Sequence, residues 1–417
     1  MDVIHISDKH CIIDKFRYNR AMDPLANPFS PGAGSPPPEL AGRDELLEQA
    51  RITLGRVKAG RFEQSVMLVG LRGVGKTVLL NRIREIAEEQ GYGVVMIEAT
   101  EGRSLPELLV PPLRQLLFRF DAMAGVSEKV KRGLRVLRSF IGSVKVKIAE
   151  VEVGLDAEKG TADSGDLEAD LAELFLSTAD AGQDRGTAVA VIIDEIQYLD
   201  EKEMSALIMA VHRISQRQLP LVLFGAGLPQ LVGLAGRSKS YAERLFRFPD
   251  VGPLSPDDAA EAIEGPARAQ GVEFTPEALR ELVQVTEGYP YFLQEWGSQA
   301  WNLALSSPID LAVVERATVA ALRKLDQSFF RVRFDRLTPR EKEYLRALAE
   351  LGAGPHRSGD VADAVGVKIQ SIAPLRSGLI RKGMIYSPAH GDTAFTVPLF
   401  DQFMLRTMPE WSRTQKK

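Results

Sequence analysis

Apolar residues along this chain fall into two patterns. Four short continuous runs, at residues 65–69, 94–97, 189–193 and 221–224, have the length and unbroken apolar character of strands buried on both faces. The segments between them place apolar residues every three or four positions, as amphipathic helices do. One such helix is predicted after Gly42-Arg43-Asp44, on Leu46, Leu47, Ala50, Ile52 and Leu54, and it fades by Gly60. Another runs from Lys76 to Gln90 and is closed by Gly91. Strands alternating with helices predict an α/β fold on a parallel sheet.

Beyond residue 224 the pattern is helical. Ser255-Pro256-Asp257-Asp258 and Thr275-Pro276-Glu277 each pair a capping hydroxyl with proline at the first helical position, predicting helices toward Gly265 and Gly288. A further helix is expected over 291–305, giving a small helical bundle in which Tyr289, Tyr291, Phe292, Trp296 and Trp301 form an aromatic core. Thr338-Pro339-Arg340-Glu341 is a capping box that opens a last module. Its helices are predicted at 339–351, 359–365 and 372–382, with Pro374 in the first turn of the third, followed by strands at 384–386 and 394–397. Three helices and a hairpin predict a winged helix. At the other end, Asn27-Pro28-Phe29, Ser30-Pro31-Gly32 and Ser35-Pro36-Pro37-Pro38 predict an extended leader. The expected organisation is a leader at 1–40, a core at 41–252, a helical lid at 253–336 and a winged helix at 337–417.

Charge changes the picture locally. Fifty-two Lys and Arg against 56 Asp and Glu leave a net charge of -4, so overall charge gives no reason to expect a nucleic-acid partner. Residues 128–147 carry seven Lys or Arg and one acid, whereas 149–173 carry nine acids and one Lys. Such blocks predict a solvated insertion at about 128–173, with period-two alternation at 144–148 and 151–153 reading as a half-exposed hairpin. Residues 337–417 carry twelve Lys or Arg and eight acids, a local +4 that favours a phosphate-facing surface. Cys11 is the only cysteine and cannot pair within the chain; no Cys/His cluster has metal-ligand spacing, and neither a signal peptide nor a membrane-length apolar run is evident. A cytoplasmic protein is expected.

The chemistry is concentrated in two segments. Gly70-Leu71-Arg72-Gly73-Val74-Gly75-Lys76-Thr77 fits G-x-x-x-x-G-K-[ST], between an apolar strand and an amphipathic helix. The glycines let successive N–H groups face one anion, and the helix N-terminus adds partial positive charge. Lys76 would reach the β- and γ-phosphates and Thr77 would offer its hydroxyl to Mg2+. The strand at 188–193 ends in Asp194-Glu195, as Walker-B segments do: Asp194 for the metal, Glu195 as general base toward water. His212 and Gln216 read as residues that pack or decorate the following helix.

These segments, with Gly42-Arg43-Asp44, Asp194-Glu195-Ile196-Gln197, the helical lid and the C-terminal module, resemble the AAA+ ATPases, in the branch shared by archaeal origin-recognition ATPases and STAND-type switch ATPases. Asn27-Pro28-Phe29 to Pro38, Ala41-Gly42-Arg43 and Thr338-Pro339-Arg340-Glu341 are also similar to a group of bacterial ATP-binding proteins. The resemblance covers about residues 40–400. It implies a parallel P-loop NTPase (AAA+) sheet with helices on both faces, an all-helical lid and a winged helix. It also implies that Gly42 and Arg43 lie against the adenine and that Gly288-Tyr289-Pro290 brings Pro290 onto the base. The nucleotide-binding set is then Gly42, Arg43, Gly70, Arg72, Gly73, Val74, Gly75, Lys76, Thr77, Val78 and Pro290. Arg244 stands where relatives place an arginine finger, with Arg237 and Arg247 as runners-up and a plain surface arginine as the other reading. No arginine near Gly288 matches the usual lid arginine, and Phe224-Gly225-Ala226-Gly227 ends the fourth strand without a polar sensor; both imply slow hydrolysis.

The function expected is a switch ATPase that binds ATP or ADP with Mg2+ and couples nucleotide state to DNA binding or assembly, with homo-oligomers formed in a nucleotide-dependent way. Double-stranded DNA would meet Lys368, Gln370, Arg376, Arg381, Lys382 and His390. The alternative is a signalling or scaffold ATPase that binds a protein partner through 128–173.

Overall fold

The computed structural model describes residues 22–32, 34, 37–123, 125–144 and 157–411. The chain divides into two compact units, one of residues 1–42 and 253–327, the other of 43–252 and 328–417.

The larger unit is built on five strands, β1 (Ser65–Val69), β2 (Gly93–Glu98), β3 (Val189–Asp194), β4 (Leu221–Gly227) and β5 (Phe246–Arg247), all parallel and ordered β2-β3-β4-β1-β5. The predicted apolar runs are its centre: β1, β3 and β4 are buried at every residue. The sheet carries α1 (Asp44–Lys58), α2 (Lys76–Glu89), α3 (Leu105–Asp121), α4 (Glu128–Ser143), α5 (Leu167–Asp184), α6 (Glu201–Arg217), α7 (Gln230–Ser238) and the short α8 (Ala242–Leu245). Register sets Glu98 opposite Asp194 and Val69 opposite Gly227, so the C-terminal strand ends come together along one edge.

The charged stretch at 128–173 departs from the expected solvated insertion. Its basic half is α4, whose Val130, Leu134, Leu137 and Phe140 are buried in the same core as β3 and α5. Reading charge alone missed this apolar stripe. The two blocks also neutralise each other: Arg132 and Arg135 pair with Glu158 at 3.0 and 3.5 Å. Buried Asp170 accepts from Ser143 Oγ, Ser164 Oγ and the N–H groups of Ser164 and Gly165, tying the acidic block to α4. Of the expected hairpin, Val144 caps α4, and the remaining residues up to 153 lie outside those described.

The smaller unit contains α9 (Pro256–Ala269), α10 (Pro276–Thr286), α11 (Pro290–Leu303) and α12 (Leu311–Gln327), with Ser255 and Thr275 capping as their sequence predicts. Trp296 and Trp301 are buried, and Phe292 lies 5.8 Å from Trp296 between ring centroids. The leader is anchored in this unit. Phe29 is buried, Asn27 Nδ2 donates to Asn302 Oδ1 at 3.0 Å, and Trp301 Nε1 donates to Asp23 O at 3.0 Å.

Returning to the larger unit, the C-terminal segment forms α13 (Phe329–Asp335), α14 (Pro339–Glu350), β6 (His356–Arg357), α15 (Ser358–Val365), α16 (Ile369–Arg381), β7 (Ile385–Tyr386), β8 (Asp392–Phe395) and α17 (Phe400–Thr407). The Thr338 capping box is formed, and the strands pair antiparallel as β6-β8-β7. Two details differ from expectation. α16 starts at Ile369, so Pro374 lies inside the helix, where it forgoes one backbone bond. α13, assigned above to the lid, packs here instead: Phe330 lies 5.6 Å from Phe400, and Phe334 lies 5.7 Å from Phe403. No helix among the described residues is long and apolar enough to cross a membrane.

Candidate functional site

The P-loop is fastened before it can bind anything. Val69 N donates to Pro249 O at 3.0 Å, Val251 N donates to Val69 O at 2.6 Å, and Gly70 N donates to Gly227 O at 3.1 Å. A Cβ on Gly70 would stand 2.2 Å from Val251 O, so that close backbone approach requires glycine. Gly73 and Gly75, at φ +84° and +93°, then turn the loop so that α2 begins at Lys76. Val74 is buried and Val78 half-buried in the first turn. Arg43 is also buried, and its Nη2 donates to Val74 O at 3.3 Å and to Gly252 O at 2.5 Å. Its guanidinium therefore clamps the P-loop backbone to the end of the core.

Lys76 is only 7% exposed, and its Nζ donates to Gly70 O at 2.9 Å and Leu71 O at 2.8 Å. Burial lowers its pKa to about 8, against the opposing pull of Glu195 and Asp194. Thr77 Oγ1 donates to Asp194 Oδ2 at 2.6 Å, and Glu195 N donates to Asp194 Oδ1 at 2.8 Å. Burial pushes the Asp194 carboxyl above its ordinary range despite these bonds. Glu98, beside it on β2, is raised by burial and then by the charges of Asp194 and Glu195. The four predicted residues Lys76, Thr77, Asp194 and Glu195 are thus brought together at one strand edge.

Glu195 sits in the left-handed region at φ +50°, as the cap of a short 3-10 turn, Ile196–Tyr198. Its Oε2 accepts from Gln197 Nε2, and its Oε1 lies 3.9 Å from Arg72 Nη1. Gln197 Oε1 accepts from Leu228 N at 3.0 Å and lies where a Cβ on Gly227 would come within 2.7 Å. A polar side chain is thus brought to the end of β4 from the turn that follows β3. That link was missed from sequence, although Gln197 stands in the Asp194-Glu195-Ile196-Gln197 segment that carries the resemblance.

Other predicted residues stand apart or are otherwise engaged. Gly42 and Pro290 belong to the smaller unit; Gly42 has φ +66°, and a Cβ there would meet Asp258 Oδ2 at 2.6 Å, while Pro290 opens α11. Arg244 is exposed on α8, and Arg237 is exposed on α7. Arg247 Nη2 donates to Thr53 Oγ1 at 2.7 Å and Nη1 to Gln49 Oε1 at 3.3 Å, so it is bonded to α1. His212 lies against Tyr241, ring centroids 4.8 Å apart, in keeping with packing.

The six residues expected to face nucleic acid divide. Arg376 donates to Thr393 Oγ1 at 2.9 Å and to Ser387 Oγ and Asp392 O at 2.7 Å, so it ties α16 to the hairpin. Lys382 donates to Glu341 Oε2 at 2.8 Å and Arg336 O at 3.3 Å, and holds α14. Each therefore meets acceptors inside the module, Lys382 while its side chain is still 36% exposed. Lys368, Gln370, Arg381 and His390 are exposed.

Residues 39–224 match the AAA ATPase domain family, and residues 327–404 match a domain family of unknown function. The chain is 24% identical over 372 residues to an uncharacterised HTH-type transcriptional regulator of Methanocaldococcus jannaschii, covering 85% of this chain and 86% of that protein. Among solved structures, the Walker-type ATPase of Pyrococcus abyssi aligns with a TM-score of 0.52 at 18% identity, over 88% of this chain and 96% of that one. The Aeropyrum pernix ORC1 protein, solved in complex with DNA, aligns at 0.45 and 16% identity over 89% and 94%.

Proposed function

We propose that this chain, an ATPase whose residues 39–224 match the AAA ATPase domain family, binds Mg-ATP at the P-loop and couples slow hydrolysis to DNA binding or assembly through its C-terminal winged helix. The observation that carries the reading is the Thr77–Asp194 contact beside a buried Lys76 whose Nζ meets two carbonyls and, among the described residues, no carboxylate within ion-pair distance. A buried ammonium in that position fits a polyanion, and a hydroxyl bonded to a carboxylate fits a hard divalent cation.

In this reading the N–H groups at the start of α2 and Lys76 hold the β- and γ-phosphates. Thr77 and Asp194 would hold Mg2+, which when bound neutralises phosphate charge. Glu195 accepts the proton of the attacking water, and Gln197, in the turn after β3 and bonded to Leu228 beyond β4, orients its carboxylate. Arg43 keeps Val74 in place. Arg244, exposed on α8, is the candidate to act across a subunit contact in a nucleotide-dependent homo-oligomer. Gly42 and Pro290 remain the candidates for the base.

Support for DNA comes from the regulator relative and from the exposed Lys368, Gln370, Arg381 and His390. The test is binding of a fluorescent DNA duplex across salt concentrations with and without Mg-ATP. Affinity that falls with salt and depends on ATP supports the proposal. A second reading, a protein-docking winged helix, is favoured by exposed Val367 and Ile369 beside Lys368, at 39% and 48% exposure. Unchanged DNA mobility under all conditions would select it.

A further inference from the structure

Arg72 of the P-loop touches three elements of the larger unit. Its Nη2 donates to Tyr198 Oη at 3.1 Å, its Nε donates to Gly383 O at 3.4 Å, and its Nη1 lies 3.9 Å from Glu195 Oε1. Its backbone N–H donates to Thr396 O at 3.3 Å. Gly383 and Thr396 flank the β7–β8 hairpin of the C-terminal module, so this module reaches the P-loop directly.

The contact is built closely. Thr396 is fully buried, and its Oγ1 donates to Gly383 O at 2.5 Å, which fixes the carbonyl that Arg72 also uses. Gly383 has φ +64°, and a Cβ there would stand 2.7 Å from Arg72 Nη2. The guanidinium therefore packs on bare backbone that only glycine leaves open. On its other side, Glu195 Oε2 accepts from Gln197, and Oε1 faces Arg72 Nη1 at an ion-pair distance of 3.9 Å. The guanidinium charge favours this placement of the carboxylate without occupying a lone pair of Oε1.

We infer that Arg72 is a positioning residue that transmits the seating of the C-terminal module to Glu195, restraining the carboxylate while the Gly383 carbonyl is in place and freeing it when the module shifts. The inference rests on the proposed reading of Glu195 as general base. It supplies a physical link by which a ligand of the C-terminal module alters ATP turnover: whatever moves the hairpin removes an acceptor from Arg72. A simple adhesive role for Arg72 would affect melting temperature and leave turnover at saturating ATP unchanged.

The test is a double-mutant cycle in the full chain, measuring kcat and KM for ATP in the unaltered protein, Gly383→Ala, Arg72→Ala and the double variant. Gly383→Ala displaces the guanidinium and is expected to raise kcat about two- to five-fold, the scale of a partly exposed ion pair, with KM little changed. Arg72→Ala is expected to raise kcat as well, and Gly383→Ala to add nothing in its background. Tyr198→Phe, which removes another acceptor from Arg72, replaces Gly383→Ala if the latter melts below the assay temperature, with the same dependence on Arg72 expected. An equal factor in both backgrounds, or a kcat unchanged or lowered by the folded variant, overturns the inference. Absence of hydrolysis by the unaltered chain overturns the reading of Glu195 itself; hydrolysis with an additive cycle overturns the inference alone.

Discussion

Thr77 and Asp194, 117 positions apart in sequence, are joined by a 2.6 Å hydrogen bond that brings the first turn of α2 to the end of β3. The bond aligns two oxygens on one side of the P-loop, the arrangement a magnesium ion would use. Thr77→Ser keeps that hydroxyl, whereas Thr77→Ala and Asp194→Asn each remove one partner. Both removals are expected to weaken the magnesium-dependent part of ATP affinity about ten- to hundred-fold and to leave the magnesium-free part nearly unchanged. Calorimetric titrations of ATP with magnesium and with chelator separate the two parts. Equal losses in both conditions would dissociate this pair from the metal.

Lys76 makes binding a protonation event. Its folded pKa of about 8 lies below the ordinary 10.5, so the folded state disfavours the charged form. The unfolded chain therefore binds more protons between these values, and stability rises with pH across that window; below about pH 8 the penalty is fully present, up to about 3 kcal/mol. A triphosphate reverses the preference by favouring the ammonium. ATP binding is expected to take up a proton above pH 8, to take up none near pH 6, and to weaken as pH rises through 8. Titration in buffers of different ionisation enthalpy reads the proton directly. Lys76→Met should lose ATP binding and melt at a higher temperature than the unaltered chain at pH 7, the mark of a buried charge kept for its ligand.

Glu195 is predicted to separate binding from chemistry. Its side chain lies beyond the Thr77–Asp194 pair, held by Gln197 from the turn after β3. Glu195→Gln preserves shape and removes the proton acceptor, so ATP affinity should be retained while kcat falls about 10²- to 10⁴-fold. Single-turnover phosphate release alongside fluorescent-nucleotide binding checks both halves. Substantial turnover in this variant would transfer the base to another group.

Much of this site was legible in sequence because it is local. The P-loop spacing and the acid pair closing an apolar run each lie within a few residues, and register alone brings them to one edge. What escaped was non-local or masked by composition. Gln197 reaches across to Leu228 because Gly227 leaves room, a relation no single segment contains. The link from Arg72 to Gly383 spans 311 positions and depends on a backbone carbonyl, to which side-chain patterns are blind. In α4 the density of Lys and Arg hid an apolar stripe that buries Val130, Leu134, Val136, Leu137 and Phe140. That Arg376 and Lys382 also tie the module together is invisible to a count of charges, which cannot register internal acceptors.

That division of the basic residues yields a prediction that sets DNA contact apart from folding. Lys368, the N-cap of α16, and Arg381, its last residue, are exposed, whereas Arg376 satisfies three acceptors across the hairpin. If the C-terminal module grips phosphates, Lys368→Ala and Arg381→Ala should each lower duplex affinity and reduce the slope of log K against log salt by about 0.9, with unchanged melting temperature. Arg376→Ala should instead remove the donor to Thr393 Oγ1 and Ser387 Oγ, leave Asp392 O with Ser387 Oγ alone, and cost about 1–3 kcal/mol of stability. Any effect it has on DNA should disappear once the folded fraction is taken into account. Fluorescence anisotropy over a salt series and denaturant melts of the three variants give the two quantities independently. Salt slopes that do not move for Lys368→Ala and Arg381→Ala would take DNA off this face and leave exposed Val367 and Ile369 as the basis for a protein partner.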